Sequence, residues 1–117
     1  ALEIGIHSHG YISESSQQAA DEFYPSYAHV MTKIGRERGW GPMNRAQYEA
    51  MRSKQGSLLV GSPQEVADKI LYEYELFKNT RYLLHISVGT MPHDKVMKSI
   101  ELLGTAVAPI VRKALGK

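Results

Sequence analysis

The chain has 117 residues, of which 43% are hydrophobic and 22% charged, a composition typical of a single folded domain. Its 14 basic and 12 acidic side chains are interleaved and leave a formal net charge of +2, so neither a nucleic-acid face nor another polyanionic partner is indicated. No apolar run approaches the ~20 residues that cross a bilayer. Cysteine is absent, which removes disulfides and thiolate chemistry and fits a cytoplasmic protein.

The first predicted strand begins at the amino end of the chain. Leu2, Ile4 and Ile6 alternate with small or polar residues, and this period of two is typical of a strand. Because the pattern starts at once and Ala1 stands where a Met would open a gene product, we expect the native N-terminus to lie upstream.

A long helix is predicted next. Ser15 and Gln18 fit a capping box, and apolar residues recur at helical spacing over 20–34. Pro25 is predicted to kink this helix or to begin a second segment. Gly39, which follows two arginines, predicts its end.

A second strand–helix unit follows a loop at 39–43 and a short helix over 44–52. Residues 57–60 are predicted to form a short buried strand that ends at Gly61. Ser62, Pro63 and Glu65 then combine an N-cap, a proline at the first helical position and a capping-box carboxylate.

A third strand is predicted over 82–88, and it is followed by a last helix that Gly104 and Pro109 should interrupt. Strands separated by helices of this length imply parallel pairing, so the fold class is α/β with about three parallel strand–helix units. A sheet of this size would leave open edges. We therefore expect part of a larger fold, and a chain that self-associates as a homo-oligomer.

Several segments, in order, are similar to one family. GSLLVGSPQEVADKIL at 56–71 and RYLLHISVGTMPHDKVMKSIELLGTAVAPIVRKAL at 81–115 resemble the closing segments of luciferase-like flavin-dependent monooxygenases. GIHSHGYI, EFYPSY and GRERGW are similar to one bacterial branch of that family. The resemblance implies a TIM-type barrel of eight strands, for which a typical chain has about 250 residues. Residues 1–117 would then be a single partial domain, the C-terminal fragment of the barrel, with its sixth, seventh and eighth strands.

The resemblance also implies an activity. Members of the family use reduced FMN and dioxygen to insert one oxygen atom into a small organic substrate, with a flavin reductase as a further partner. Some relatives instead use a deazaflavin and transfer hydride without oxygen, and these residues do not decide between the two. A chain with three of eight strand–helix units is expected to be inactive by itself.

Three histidines are the predicted catalytic residues. In such barrels the active site lies at the C-terminal ends of the strands. Strand alternation places His7 and His9 on one face of the first strand and His85 on the same face of the third. We predict that they donate hydrogen bonds to the flavin or act as acids and bases near neutrality. The alternative is a structural role as hydrogen-bonded strand residues.

Gly61, Ser62, Ser87 and Thr90 are the predicted cofactor-binding residues. Backbone N–H groups at a helix N-terminus suit an anion, so Gly61 and Ser62 could hold a phosphate. They are also explained as a turn and a helix cap, and the resemblance implies that the flavin phosphate is held mainly by preceding segments.

Two further interpretations come from other classes of protein. His7 and His9 could bind zinc or iron in a metal-dependent barrel hydrolase. The candidates for the additional ligands are Asp21, Glu22, His29 and Asp94. Their spacing along the sequence is not convincing, so no metal site is predicted. A small non-enzymatic α/β interaction module fits the composition equally. Trp40 and Tyr48 are predicted to cover a substrate pocket or, alternatively, to pack locally.

Overall fold

The computed structural model describes residues 4–53, 55–86 and 91–116. Strands and helices alternate along these residues in the order β1 (Gly5–Ile12), α1 (Ser16–Arg38), α2 (Arg45–Arg52), β2 (Leu59–Gly61), α3 (Pro63–Phe77), β3 (Arg81–His85), α4 (His93–Leu102) and α5 (Ala108–Ala114). The predicted α/β class with three parallel strand–helix units is confirmed. Across these ranges, each helix falls short of the length or the apolar character needed to cross a membrane.

The three strands form one parallel sheet in the order β2-β1-β3. Gly5 to His9 of β1 pair with β3, and Gly10 to Ile12 pair with β2. The expected sixth, seventh and eighth strands of a barrel would be consecutive neighbours, with β2 in the middle. Here β1 is the middle strand, because β2 pairs along one edge of β1 and β3 pairs along the other. The connection from β2 to β3 through α3 therefore crosses over β1.

The first strand is longer than its sequence pattern predicts. It continues to Ile12, so His7 and His9 lie within the strand rather than at its carboxyl end, where we expected them. The reason is that residues 10–12 acquire hydrogen-bonding partners from β2, which lies about fifty residues further along the chain.

Gly10 allows β2 and β3 to approach β1 closely. A Cβ atom at Gly10 would collide with the carbonyl oxygen of Leu59 on β2 and with the side chain of Leu84 on β3. The residue is glycine because two neighbouring strands approach it, and no turn is involved.

The predicted N-cap at Ser15 and the predicted helix end at Gly39 are confirmed for α1. The Ser15 side chain accepts a hydrogen bond from the backbone N of Gln18 at 3.2 Å. Gly39 has the left-handed conformation with φ of 80°, and its N–H donates to the carbonyl of Gly35. Pro25 lies inside α1, which continues past it as one helix, so the predicted second segment does not form.

Reciprocal capping boxes open α2 and α3. Asn44 with Gln47 and Ser62 with Glu65 both exchange side-chain and backbone hydrogen bonds. Pro63 occupies the first turn of α3, as predicted. These helix starts depend on residues three apart, so local sequence is enough to specify them.

The last helix is interrupted, as predicted, but it widens instead of breaking. A π-helical segment, Leu103–Val107, joins α4 to α5, and the N–H of Ala108 donates to the carbonyl of Leu103 five residues back. Pro109 comes directly after it and has no N–H to donate. A wide turn at such a point keeps the chain helical where the ordinary ladder is lost.

Two apolar clusters cover the two faces of the sheet. On one face α1 and α2 pack over β1 and β2, with the buried side chains Tyr11, Phe23, Tyr27, Tyr48, Leu58 and Val60 among others. On the other face α3, the π-helical segment and α5 pack on the sheet around Ile12, Leu59, Val66, Ala67 and Val107. The first cluster covers only the carboxyl half of β1, and the amino half is left accessible on that face.

Gly10→Ala should lower the free energy of unfolding by about 1–3 kcal/mol or more, because the added methyl overpacks a strand contact that has no free space. The matched control is Gly104→Ala, where a Cβ would meet nothing within 4 Å, and which should change stability by less than about 1 kcal/mol. Urea unfolding followed by circular dichroism measures both. Equal effects of the two substitutions would contradict the close approach of the strands at Gly10.

Candidate functional site

The three predicted catalytic histidines lie together on one face of the sheet. His9 and His85 are register partners on β1 and β3, and His7 lies two residues before His9 on the same face. Their ring centres are 5.0 Å apart for His9 and His85, and 6.0 Å apart for each of the other two pairs. We call these three residues the histidine cluster.

His9 is the most enclosed member of the cluster. His7 and His85 are exposed, whereas His9 is half-buried, and the Tyr27 ring of α1 lies 6.0 Å from its ring. Its Nδ1 atom is buried and has no hydrogen-bond partner among the described residues. Burial lowers the pKa of His9, and the neighbouring imidazoles of His85 and His7 lower it further.

This environment keeps the His9 imidazole neutral near pH 7. A neutral imidazole has one nitrogen that donates and one that accepts a hydrogen bond. Because Nδ1 of His9 is buried, a group placed against the cluster would contact the more exposed part of the His9 ring and the exposed imidazoles of His7 and His85, which can hydrogen-bond to it. The cluster can therefore orient a polar ring and exchange a proton with it.

The predicted phosphate cradle at Gly61 and Ser62 is occupied by the chain itself. The Ser62 hydroxyl accepts a hydrogen bond from the backbone N of Glu65 at 3.3 Å, and the backbone N of Ser62 donates to the Glu65 carboxylate at 3.2 Å. The same carboxylate lies where a Cβ of Gly61 would be. A carboxylate here competes with an incoming phosphate, so these two residues act as a turn and a helix cap. Ser87 and Thr90 lie outside the described residues.

A second polar group, which the sequence did not reveal, lies at the carboxyl end of β1. The Tyr11 hydroxyl donates to Oε1 of Glu22 at 3.0 Å, and Nζ of Lys95 lies 3.2 Å from Oε2 of Glu22. Burial alone would raise the pKa of Glu22, but the hydrogen bonds from Tyr11 and Lys95 outweigh it and lower that pKa. Burial raises the pKa of Tyr11, and its bond to Glu22 adds to the effect.

Helix α4 is attached to the same strand end. The backbone N of Ile12 donates to the Ser99 hydroxyl at 2.7 Å, and both residues are fully buried. Extending the predicted strand by three residues would have pointed to Tyr11, but its partners Glu22 and Lys95 lie on two different helices. No short motif connects the three.

Two of the three carboxylates considered as metal ligands are bound to other partners. Asp21 forms an ion pair with Arg45 at 2.8 Å, and Glu22 belongs to the network with Tyr11 and Lys95. Across residues 4–53, 55–86 and 91–116, no group of three or more histidine, aspartate or glutamate side chains has an arrangement that could hold a metal ion.

Trp40 and Tyr48 have different environments. Tyr48 is buried, and its hydroxyl donates to the Ala20 carbonyl at 2.9 Å, so it packs locally. Trp40 is 57% exposed and lines a cavity between α1 and α2.

Comparison with known proteins gives relatives of partly known function. No family model matches the chain. The uncharacterized protein y4vJ of Sinorhizobium fredii (strain NBRC 101917 / NGR234) is 29% identical over 70 residues, which are 60% of this chain and 19% of that protein. The chain therefore spans about a fifth of the length of this relative.

Two solved structures share the fold. Monooxygenase RslO1 from Streptomyces bottropensis matches 93% of this chain with a TM-score of 0.68 and 20% identity, and apo-MsnO8 matches 92% with a TM-score of 0.62 and 15% identity. The chain covers 31% and 35% of these two proteins. The fold is thus an α/β unit that resembles about a third of a larger monooxygenase chain.

The stability of the protein should fall in mild acid because of His9. In the folded state the pKa of His9 is below its ordinary value of 6.5, so the unfolded chain takes up the proton first as the pH falls. Stability is therefore highest above pH 6.5 and decreases as the pH drops through 6.5 towards the lowered folded pKa. Urea unfolding midpoints measured at a series of pH values from above 6.5 downward test this pH dependence.

His9→Phe should flatten that pH dependence, because the substituted ring does not titrate. His29→Phe, at an exposed position of α1, is the control and should leave the slope unchanged. A His9→Phe chain with the original slope would show that the acid effect arises elsewhere.

Proposed function

We propose that the chain is part of a luciferase-like flavin-dependent monooxygenase, which uses reduced FMN and dioxygen to insert one oxygen atom into a small organic substrate. The observation that carries the proposal is the histidine cluster, on the accessible sheet face of a unit that resembles two monooxygenases in fold. The absence of cysteine supports a cytoplasmic location for the enzyme.

The histidine cluster fits the ring end of a flavin. It presents three imidazoles on an accessible face, and His9 has a buried nitrogen without a partner among the described residues. The helix cap at Gly61 does not fit the phosphate end, because the Glu65 carboxylate already holds it. We therefore assign contacts with the flavin ring to His7, His9 and His85, and contacts with its phosphate to residues outside this chain.

The flavin, when bound, supplies the reaction with oxygen, and the protein supplies orientation and protection from water. His9, kept neutral by burial and by its two neighbouring imidazoles, lies beside the exposed imidazoles of His7 and His85, which would hydrogen-bond to the flavin ring directly. Tyr27 closes the cluster on the side of α1, and the aromatic cluster behind it excludes water from that side. A flavin reductase would supply the reduced cofactor.

The complete gene product provides the direct test. We expect it to bind FMN and to consume oxygen when reduced FMN and substrate are present. His9→Ala should lower kcat/KM by about 10²-fold, a typical contribution of a group that positions or transfers a proton. The matched control His29→Ala, at an exposed site on α1, should retain full activity. The 117-residue chain should not retain FMN stoichiometrically.

Several outcomes would overturn the proposal. A complete protein that binds no flavin would contradict the proposed function. Reduction of a deazaflavin without oxygen consumption would replace oxygen insertion by hydride transfer. Equal losses in His9→Ala and His29→Ala would show that the histidine cluster does not contribute to the activity.

We further propose that the chain self-associates. In the sheet order β2-β1-β3, the outer edges of β2 and β3 have no strand partner among the described residues, and Leu83 on β3 is 54% exposed. Open edges and exposed apolar residues favour pairing with a second chain.

Leu83→Lys should therefore shift the chain towards the monomer in light scattering, since a lysine on an edge strand opposes pairing. Leu76→Lys is the matched control, because Leu76 is 59% exposed and belongs to helix α3 instead of a strand. A monomeric parent chain would contradict the proposed association.

A further inference from the structure

A cavity lies between α1, α2 and the loop at 39–43, on the same side of the sheet as the histidine cluster. Its volume is about 550 Å³, within the range of about 300–1,000 Å³ that is usual for small-molecule sites. We call it the Trp40 pocket, and its wall includes Tyr27, Met31, Trp40, Met43, Gln47 and Met51.

The loop that closes the Trp40 pocket is attached to α1 at both ends. The backbone N of Trp40 donates to the Gly35 carbonyl at 2.6 Å, and the backbone N of Met43 donates to the Thr32 hydroxyl at 3.3 Å. A Cβ at Gly35 would lie 3.1 Å from that of Trp40, so the absence of a side chain there lets the tryptophan lie against the helix. The pocket is thus formed before any ligand arrives.

The chemistry of the wall favours one class of ligand. Three methionines and two aromatic rings line it, and no lining residue carries a charge. Methionine is flexible and polarisable and makes favourable contacts with aromatic rings. Trp40 remains 57% exposed beside this apolar wall, and the Arg38 guanidinium lies over its ring, 5.6 Å from the ring centre. A flat, neutral, apolar molecule would cover the indole without burying a charge.

Tyr27 lies between the pocket and the histidine cluster. This residue lines the pocket, is 3% exposed, and lies 6.0 Å from the His9 ring. Burial raises the pKa of Tyr27, so its hydroxyl stays protonated and can donate a hydrogen bond. A molecule in the pocket would therefore be separated from His9 by one side chain.

We propose that the Trp40 pocket binds a neutral, flat, apolar small molecule, and, if the proposed oxygenase function holds, that this is the substrate class of the enzyme. Binding is an equilibrium property of this chain, so it can be measured without flavin or turnover. The identification as substrate rests on the proposed function.

The fluorescence of Trp40 reports on the pocket directly, since it is the single tryptophan of the sequence. We expect biphenylmethanol to shift its emission to the blue in a saturable manner and to protect it from acrylamide quenching. Biphenylmethylammonium, of similar size but cationic, should bind about tenfold more weakly or worse, because no acidic residue lines the pocket and Arg38 already lies over the Trp40 ring.

Two alanines on α2 provide a matched pair of variants. Ala50 lines the pocket and Ala46 does not, and both are exposed. Ala50→Arg should weaken biphenylmethanol binding by about tenfold or more, and Ala46→Arg should leave it unchanged. Ala50→Leu, which fills the pocket without adding charge, should also weaken binding, and circular dichroism should show the same fold in all three variants.

No saturable shift with biphenylmethanol, equal binding of biphenylmethylammonium, or equal losses in the Ala50 and Ala46 variants would overturn the pocket assignment. If binding follows the expected pattern but the complete protein shows no flavin-dependent oxygen consumption, the pocket assignment stands and the proposed function fails. If the complete protein is an oxygenase whose kcat/KM is unaffected by Ala50→Arg, the pocket is not its substrate site.

Discussion

The pairing of β1 with a different strand along each of its halves determines where the candidate site residues lie. Its amino half pairs with β3 and its carboxyl half with β2, so one alternating set of side chains places the histidines against β3 and Tyr11 near β2. Gly10, at the change from one partner to the other, leaves room for both neighbours. A shift of one residue in this register would exchange the two faces and separate the histidines from α1.

Two polar groups with different electrostatic character lie close together on the accessible face of the sheet. Around Tyr11, a carboxylate and an ammonium group satisfy each other, and the helices bury the surrounding side chains. At the histidine cluster, three like groups lie together, and their mutual repulsion with partial burial favours the neutral form of His9. The first arrangement stabilises the fold, whereas the second leaves a buried imidazole nitrogen of His9 without a partner among the described residues.

Local features were predictable from sequence, and long-range ones were not. The helix starts at Ser15, Asn44 and Ser62 depend on hydrogen bonds three residues apart, and alternation was enough to place the three histidines on one face. The full length of β1 and the strand order depend on pairing with distant segments, which a period of two does not encode. The same limit applies to Glu22, because Tyr11 and Lys95 reach it from separate elements.

The π-helical segment that joins α4 to α5 also controls which side of the last helix meets the sheet. Its wide turn holds one residue more than an ordinary turn, and each residue of an α-helix advances by about 100°. Without that extra residue, α5 would present a different side to α3, and Ile110 and Val111 would leave the apolar cluster that they now border. The number of residues within Leu103–Val107 therefore fixes the rotation of α5 about its own axis. Adding or deleting one residue there would change which side of α5 is buried, although the side chains of α5 would stay the same.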